Sequence, residues 1–234
     1  HVHHFTIGGN KEGDITHYRL EVLADSGAYA RLGAFLPMFT LIMSSGVYDI
    51  PNIETAARSV VTNTTPTEAY RGAGRPEAAL TIERAVDMFA AEIGMDTAEI
   101  RRKNYLQAKD FPVSTAVGTE YDSGDYEKSL ELALQAAGYS DLRTEQTKRR
   151  ENGEVVQLGI GIATYVEITA GPAPGGAEYG KVEITSEGKA RVYSGSLSHG
   201  QSHQTTFAMI AADQLGMDIE DIELIQGDTD KVAE

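Results

Sequence analysis

The chain has 234 residues, 41% of them apolar, which is sufficient for one large packed domain or two smaller ones. No stretch approaches the about 18 consecutive apolar residues that a membrane span requires, and the formal charge of −15 disfavours nucleic-acid binding as a general function. The absence of cysteine excludes disulfides, thiolate zinc sites and iron–sulfur ligation within the chain. It also fits a reducing compartment, so we expect a cytoplasmic protein.

The first predicted elements are two strands joined by a turn. Residues 15–25 alternate apolar and polar side chains, which is typical of a strand with one buried face, and residues 3–7 are expected to pair with them through the turn GGNKEGD. Residues 32–43 are predicted to be helical around Pro37, and residues 53–62 to form the next strand. The predicted inward positions of the second strand are Tyr18, Leu20, Val22 and Ala24.

A long amphipathic helix is predicted immediately after Arg75. Pro76 suits the first helical position and Gly94 the C-terminal end. The apolar residues between them recur at helical spacing: Ala78, Ile82, Ala85, Phe89 and Ile93. Asp96 is then expected to cap a shorter, charged helix over residues 97–106.

The middle of the chain is predicted to be helical. Ser123 or Asp125 lies near the start of another helix, which Gly138 ends. The highly charged residues 144–152 are expected to form a solvent-facing connector.

Strands are predicted again beyond this connector. Residues 156–169 are interpreted as one long strand and residues 170–177 as a flexible loop. Residues 179–185 and 190–194 are expected to form a hairpin that turns at SEGK.

A last helix and strand complete the predicted elements. The helix follows the loop GSLSHGQSHQTT, residues 195–206, and is closed by Gly216, while residues 219–230 supply a final strand and an acidic turn. The predicted shared face of this helix contains Phe207, Ile210, Ala211 and Leu215. Because strands and helices mix without regular alternation, we predict an α+β fold with mixed sheets and packed helices. The chain begins without Met inside one predicted strand and stops just after another, so we expect an internal fragment of a longer protein.

The segment AYRGAGRPEA, residues 69–78, places glycines and arginines directly before a helix. The first helical turn leaves backbone N–H groups unpaired, and glycine lets a ligand approach them closely. Arg71 and Arg75 add guanidinium groups that match phosphate or carboxylate oxygens. These features indicate an anion site, although a tight turn with surface arginines has the same composition.

The loop at residues 195–206 is built in a similar way, with glycines followed by side-chain donors at the start of a helix. Two such sites would suit a ligand with a pyrophosphate and a further polar group, such as a dinucleotide. Neither loop matches a Walker A motif or a complete dinucleotide-binding fingerprint. We therefore expect the two loops to form one cradle for a single large cofactor.

Other polar residues are weaker candidates. His3 and His4 point to opposite faces of a strand, so His1, His3 and His4 do not favour a metal site, and we predict none. The turn GDTD is a candidate cation or ligand contact, but its residues are ordinary turn formers. Three glutamates are candidate bases, and their spacing in the sequence does not favour one over the others: Glu77, Glu83 and Glu167. A proton-transfer role and a loop-shaping role both stay open for His199 and His203.

Several long motifs resemble one family. AYRGAGRPEA, IERAVDMFAAEIGMDTAEIRRKN, YDSGDY and GSLSHGQSHQTTFAMIAADQLG with GDTD are similar, in order and spacing, to the large subunit of the xanthine oxidase family of molybdenum hydroxylases. The resemblance extends over essentially the whole chain. It implies a molybdopterin cofactor, in bacterial members usually the cytosine dinucleotide, with iron–sulfur and flavin groups on partner subunits of a dimer of heterotrimers.

The resemblance also implies roles for particular residues. Arg71 and Gly72 would position and stabilise the oxygen that reacts with the substrate, and further cofactor contacts would come from Tyr70, Arg71, Gly72, Ala73, Gly74, Arg75, Gly200, Gln201, Ser202, His203, Thr205, Thr206, Asp228 and Thr229. Residues 1–110 would form the first part of the cofactor-binding region, residues 111–154 a helical connector, and residues 155–234 the second part. The family's glutamine loop and catalytic glutamate motif are expected before His1 and after Glu234.

One position departs from a subgroup of this family. Gly72 stands where the resemblance places a copper-bridging cysteine in members that oxidise CO. We therefore expect an aldehyde or an N-heterocycle to be hydroxylated instead, with the fragment inactive by itself. The alternative is a non-catalytic module that binds a nucleotide or polyphosphate and serves assembly.

Overall fold

The computed structural model describes residues 1–168 and 178–232. The chain divides into two compact units, His1–Glu167 and Ile168–Glu234, which we call unit 1 and unit 2. The predicted loop at residues 170–177 lies outside the described residues. No helix in the described part of the chain is long and apolar enough to cross a membrane.

Unit 1 is built on a three-stranded mixed sheet. Strand β1 (Val2–Gly9) is antiparallel to β2 (Ile15–Gly27), and β3 (Asn52–Val61) lies parallel to β2 on its other side. The predicted alternation in β2 is confirmed, since its inward side chains are almost completely buried: Tyr18, Leu20, Val22 and Ala24. The carboxyl ends of the parallel strands β2 and β3 meet at one edge, where Gly27 pairs with Val61.

Three helices cover this sheet. A 3₁₀ turn (Leu32–Phe35) leads into α1 (Leu36–Ile42), and α2 (Arg75–Ile93) and α3 (Thr97–Asn104) follow. Helix α2 begins one residue before its expected start, which makes Pro76 the second helical residue. Its predicted inward residues Ala78, Ile82, Ala85 and Phe89 are buried.

Two predicted helix ends are confirmed, at Gly94 and Asp96, whereas α3 stops at Asn104, before its predicted end at residue 106. Gly94 ends α2 with a φ of 71°, in the left-handed region that glycine adopts without strain. Asp96 caps α3, because its carboxylate accepts hydrogen bonds from the backbone N–H groups of Ala98 and Glu99.

A small ribbon and two helices complete the element order of unit 1. Strands β4 (Val113–Ser114) and β5 (Glu120–Tyr121) pair antiparallel, and α4 (Tyr126–Ala137) is capped by Asp125. After Gly138, the charged connector folds as helix α5 (Tyr139–Glu151), most of which faces solvent.

The strand predicted at residues 156–169 is wrong over its described part. Residues 157–168 are extended and alternate between more and less exposed side chains, but they form no ladder with a described strand. Helices hold the segment instead: the Leu158 carbonyl accepts a hydrogen bond from Gln146, and the Ile162 carbonyl accepts one from Arg101. The alternation in the sequence therefore predicted correctly that one face of this segment is covered, but the described elements that cover it are helices and not a neighbouring strand.

The core of unit 1 contains a buried ion pair. Arg101 is fully buried and donates to Glu83 at 2.8 Å, while Glu83 also accepts from the Tyr48 hydroxyl at 2.5 Å. Burial and the negative charge of Glu83 raise the pKa of Tyr48 well above its ordinary value. Glu83 is thus a structural carboxylate in the interior, which argues against it as a base.

Unit 2 repeats the mixed-sheet scheme on a smaller scale. The hairpin of β6 (Gly180–Ile184) and β7 (Ala190–Ser194) is confirmed, and β8 (Ile222–Gln226) lies parallel to β7. A 3₁₀ turn (Ile219–Asp221) precedes β8, and helix α6 (His203–Leu215) makes the crossover and ends at Gly216 as predicted. These mixed sheets with packed helices confirm the α+β fold class.

The predicted buried face of α6 needs correction. The helix buries Ala208, Ala211 and Ala212 within unit 2, whereas Ile210 is 61% exposed and Leu215 is 42% exposed. Small alanine side chains let the helix approach β7 and β8 closely, and this selects a face rotated from the one that contains the larger apolar residues.

Candidate cofactor-binding loops

The loop Tyr70 to Gly74 in unit 1 follows an unusual backbone path. Gly72, Ala73 and Gly74 have φ angles of 95°, 45° and 88°, so three consecutive residues are in the left-handed half of conformational space. Ala73 tolerates this conformation poorly, because its Cβ crowds the backbone there. Tyr70 is 87% exposed before this turn, and Gly74 is the N-cap residue that immediately precedes α2.

Neighbouring groups hold this path in place. The Ala73 N–H donates to the Tyr70 carbonyl at 2.7 Å, and the Thr40 hydroxyl of α1 donates to the Gly74 carbonyl at 2.9 Å. A Cβ added at Gly74 would lie 2.4 Å from the Leu36 carbonyl oxygen. Glycine is therefore required at 74 both by φ and by the close approach of α1.

Gly72 is fitted against the first turn of α2. A Cβ built at Gly72 would lie 2.5 Å from both Cγ and Cδ of Pro76. The proline ring cannot swing away, since it is fixed to the backbone of the helix. With this backbone, position 72 accepts no side chain without local rearrangement.

A pocket of about 540 Å³ opens beside this loop in unit 1. It is lined on one side by the loop and the start of α2, and on the other by the extended segment: Arg71, Gly72, Ala73, Arg75, Pro76, Ala79, Tyr165, Val166 and Glu167. Arg75 Nε lies 3.4 Å from Glu167 Oε1. The wall of the pocket is therefore partly apolar, and it is bordered by the charged side chains of Arg75 and Glu167 and by the exposed ring of Tyr165.

The second loop, in unit 2, makes hydrogen bonds within itself and to the residues before β6, where Ser196 donates to Glu178 at 2.8 Å. Gly200 has a φ of 119° with no atom within 4 Å of an added Cβ, and Ser202 has a φ of 61° at the residue before α6. The Ser202 carbonyl accepts hydrogen bonds from the N–H groups of Thr205 and Thr206, each at 2.9 Å. Gln201 accepts from the His199 N–H, and the Thr205 and Thr206 side chains are exposed.

The structure brings the acidic turn beside this second loop. Because β7 and β8 are parallel, with Ser194 paired to Gln226, the segments after them leave the same edge of the sheet. A Cβ at Gly227 would lie 2.9 Å from Leu197, and His203 Nδ1 lies 3.4 Å from Gln226 Oε1.

Asp228 is engaged locally in this turn. Its carboxylate pairs with Lys231 at 3.1 Å and accepts a hydrogen bond from the Asp230 N–H, and these contacts lower its pKa. Thr229, beside it, is exposed.

The histidine candidates occupy ordinary positions. His3 Nδ1 lies 2.6 Å from the Thr81 hydroxyl on α2, and burial lowers the His3 pKa. His203 stacks on Phe207, with ring centroids 4.4 Å apart, at the start of α6. Among the residues the structure describes, no group of three or more histidine and acidic side chains is arranged to hold a metal.

Two residues beside the loop carried no signal that the sequence patterns could identify. Tyr165 lines the pocket from the extended segment opposite the loop, and Thr40 on α1 donates a hydrogen bond to the loop at the Gly74 carbonyl. Only their sequence-distant contacts distinguish them, since Thr40 and Gly74 are 34 residues apart.

Family models decide what these two units are. A molybdopterin cofactor-binding domain model matches residues 1–105, and a second model of the same description matches residues 132–234. The carbon monoxide dehydrogenase large chain of Hydrogenophaga pseudoflava is 37% identical over 236 residues.

The chain belongs to the xanthine oxidase family of molybdenum hydroxylases. The alignment with the Hydrogenophaga protein covers 95% of this chain and 29% of the relative. The nicotine 6-hydroxylase large subunit of Paenarthrobacter nicotinovorans is 32% identical, with 96% and 29% covered. The solved structure of reconstituted CO dehydrogenase from Oligotropha carboxidovorans superposes with a TM-score of 0.85 at 34% identity, covering 98% of this chain and 31% of that one.

The chain thus spans less than a third of the length of these relatives. Its first loop falls within the first matched domain, and its second loop and acidic turn fall within the second. Both models describe molybdopterin binding, so the chain is a molybdopterin-binding portion of a large subunit. A non-catalytic module for nucleotides or polyphosphate is not favoured.

Proposed function

We propose that the intact protein is the catalytic subunit of a molybdenum hydroxylase that acts on an aldehyde or an N-heterocycle. The observation that carries this proposal is the fit of Gly72 against Pro76, which leaves no room for a side chain at that position. The copper-bridging cysteine that the resemblance assigns to CO oxidation has no place on this backbone. We accordingly propose that CO is not the substrate.

The loops are suited to a large anionic cofactor. Within the described residues, the backbone N–H groups of Gly72 and Gly74 donate no hydrogen bond, and both lie at the start of the 19-residue helix α2. The positive end of a helix and glycines without Cβ favour close approach of anionic oxygens. We assign the first contact set to Tyr70, Arg71, Gly72, Ala73, Gly74 and Arg75.

The second contact set lies in unit 2. Gly200 leaves open space in front of α6, and several exposed donors follow it. We assign cofactor contacts there to Gly200, Gln201, Ser202, His203, Thr205, Thr206, Asp228 and Thr229. Two such sets suit the cytosine dinucleotide form, in which the pterin and the nucleotide are joined through phosphates. The division into residues 1–110, 111–154 and 155–234 is part of this proposal.

The reaction replaces a substrate C–H bond with C–OH, with oxygen from water, and releases two electrons and two protons. When bound, the molybdenum group supplies the two-electron oxidation. The Arg71 guanidinium and the N–H groups of the loop stabilise negative charge that develops on the reacting oxygen. Neither Arg71 nor Gly72 transfers a proton in this scheme.

The released electrons require acceptors outside this chain. It contains no cysteine to ligate an iron–sulfur cluster. We assign iron–sulfur and flavin groups to partner subunits, in a dimer of heterotrimers located in the cytoplasm. Two relatives are named as a large chain and a large subunit, which supports such an assembly.

The test uses the full-length protein with its partner subunits. Metal and nucleotide analysis is expected to find molybdenum with a cytosine dinucleotide, and a substrate screen to find aldehyde or N-heterocycle oxidation. Arg71→Ala is expected to lower turnover about 10²-fold or to lower the molybdenum content. Robust CO oxidation, an active preparation without molybdenum, or normal turnover and content in Arg71→Ala would each contradict the proposal.

A further inference from the structure

The first loop needs support from outside its own residues. Three consecutive residues have positive φ, and the non-glycine Ala73 is strained in this conformation, which persists only where neighbours hold it. Thr40 holds the Gly74 carbonyl. The Gly72 carbonyl is held by a different residue.

Arg75 is that residue. Its backbone N–H donates to the Gly72 carbonyl at 3.2 Å, and its Nη1 donates to the same oxygen at 3.3 Å. Its guanidinium also lies over the Phe39 ring, 5.1 Å from the centroid. Arg75 thereby fixes the peptide plane between Gly72 and Ala73.

Glu167 orients this guanidinium. Arg75 Nε is buried and makes no hydrogen bond within the described residues, and its neighbouring charge is Glu167 Oε1 at 3.4 Å. The carboxylate comes from the extended segment, 92 residues further along the chain. It faces Nε, whereas the hydrogen bond to the Gly72 carbonyl comes from Nη1.

We propose that Glu167 is a positioning residue for the first loop and acts through Arg75. The carboxylate selects the Arg75 rotamer, the guanidinium then holds the Gly72 carbonyl, and the loop N–H groups keep their directions. Arg75 therefore serves the cofactor by holding the loop. This inference rests on the proposed function for its effect on turnover, but its effect on loop geometry is independent of that function.

The experiment compares Glu167→Ala, Glu167→Gln, Arg75→Lys and the double variant Arg75→Lys/Glu167→Ala in the full-length protein. The control is Glu145→Ala, which removes a carboxylate that pairs with Arg149 on the exposed helix α5. Hydrogen exchange of the peptide covering residues 69–78 reports loop opening without any need for activity. Steady-state kinetics give kcat and KM separately.

In Glu167→Ala, exchange of this peptide is expected to accelerate roughly fivefold, with little change in global stability because the pair is partly exposed. Turnover is expected to fall while KM stays within about twofold. Glu167→Gln is expected to be intermediate, because the glutamine keeps the size of the side chain and has an amide dipole but loses the negative charge that attracts the guanidinium. The Glu167→Ala change adds nothing once Arg75 is lysine, since lysine lacks the group that the carboxylate orients.

Exchange in Glu167→Ala equal to that of Glu145→Ala overturns the inference. Additive effects in the double variant overturn the route through Arg75. Lower kcat with unchanged exchange means that Glu167 acts on the substrate directly and also contradicts it. If no hydroxylase activity exists in any variant, the proposed function fails, and the exchange data still decide the positioning role.

Discussion

The two units place a glycine-bearing loop on similar frameworks but hold it in different ways. Each unit has a hairpin extended by a parallel third strand, with loops leaving the carboxyl ends of the parallel pair. In unit 1 the loop is fixed by α1, by Pro76 and by Arg75. In unit 2 the loop bonds to itself and to Glu178, and no described atom lies within 4 Å of a Cβ added at Gly200.

This difference follows from the cores beneath the loops. Among the described residues, unit 1 buries sixteen in one cluster, whereas the cluster of unit 2 contains five, four of them alanines. A large core supports a strained loop, because strain persists only where surrounding structure imposes it. The comparison indicates that unit 1 holds the backbone of its loop in one conformation, whereas unit 2 presents exposed hydrogen-bond donors.

The largest expected effect on stability comes from removing the Arg101 side chain, which tests the contrast between the two cores. Arg101→Ala leaves Glu83 buried without its partner, so it is expected to reduce the free energy of unfolding by about 3–5 kcal/mol. The matched change in unit 2 is Arg191→Ala, because Arg191 pairs with Glu223 at 3.0 Å on the surface. That change is expected to cost under about 1 kcal/mol. Urea unfolding measures both, and equal losses would contradict the contrast.

The second change tests the two glycines directly. Gly72→Ala combines a φ of 95° with the contact on Pro76, and it is expected to cost about 2–4 kcal/mol. Gly200→Ala meets only the φ penalty, about 1 kcal/mol. Pro76→Ala added to Gly72→Ala is expected to restore part of the loss. Thermal unfolding that fails to separate Gly72→Ala from Gly200→Ala would remove the steric argument.

A smaller effect is expected at a helix cap outside both loops. Asp125→Ala removes the acceptor for the Lys128 N–H at the start of α4, and it is expected to cost about 1 kcal/mol without affecting molybdenum content. Asp125→Asn keeps an acceptor and serves as the control. A loss of cofactor in Asp125→Ala would show that α4 contributes to the loops.

The smallest expected effect is a pH response of two segments: residues 62–68 near Asp25 in unit 1, and residues 227–232 around Asp228 in unit 2. We call these segments the two loop edges. Hydrogen bonds from Thr62 and from the Gly27 N–H lower the pKa of Asp25, and Lys231 and the Asp230 N–H lower that of Asp228. A depressed pKa contributes stability that is present above the unfolded value, about 3.9, and is lost as pH falls through the folded value.

We therefore expect no change between pH 5 and 8 and loosening of both edges below about pH 4. Hydrogen exchange of residues 62–68 and 227–232 measures the response. Asp25→Asn and Asp228→Asn should flatten it at their own edge only. Loosening already at pH 6 would point to another titrating group.

Much of the local structure was predictable, because it depends on residues close in sequence. The ends of helices at Gly94 and Gly138 and the cap at Asp96 each involve atoms no more than four residues apart. The contacts of the site residues could not be predicted in this way. The motif resemblance indicated the first loop, but nothing near Glu167 in the sequence indicated its contact with Arg75.

The sequence by itself therefore determined the amphipathic periods, the caps, the α+β class and, through long motifs, the family. The tertiary structure decided three other things: that the segment before residue 168 packs on helices instead of in a sheet, which face of α6 is buried, and which carboxylate meets which arginine. The physical reason is the separation along the sequence of the residues that interact. Periods and caps arise from hydrogen bonds within one helical turn, whereas these contacts join residues that are brought together only by the packing of the whole unit.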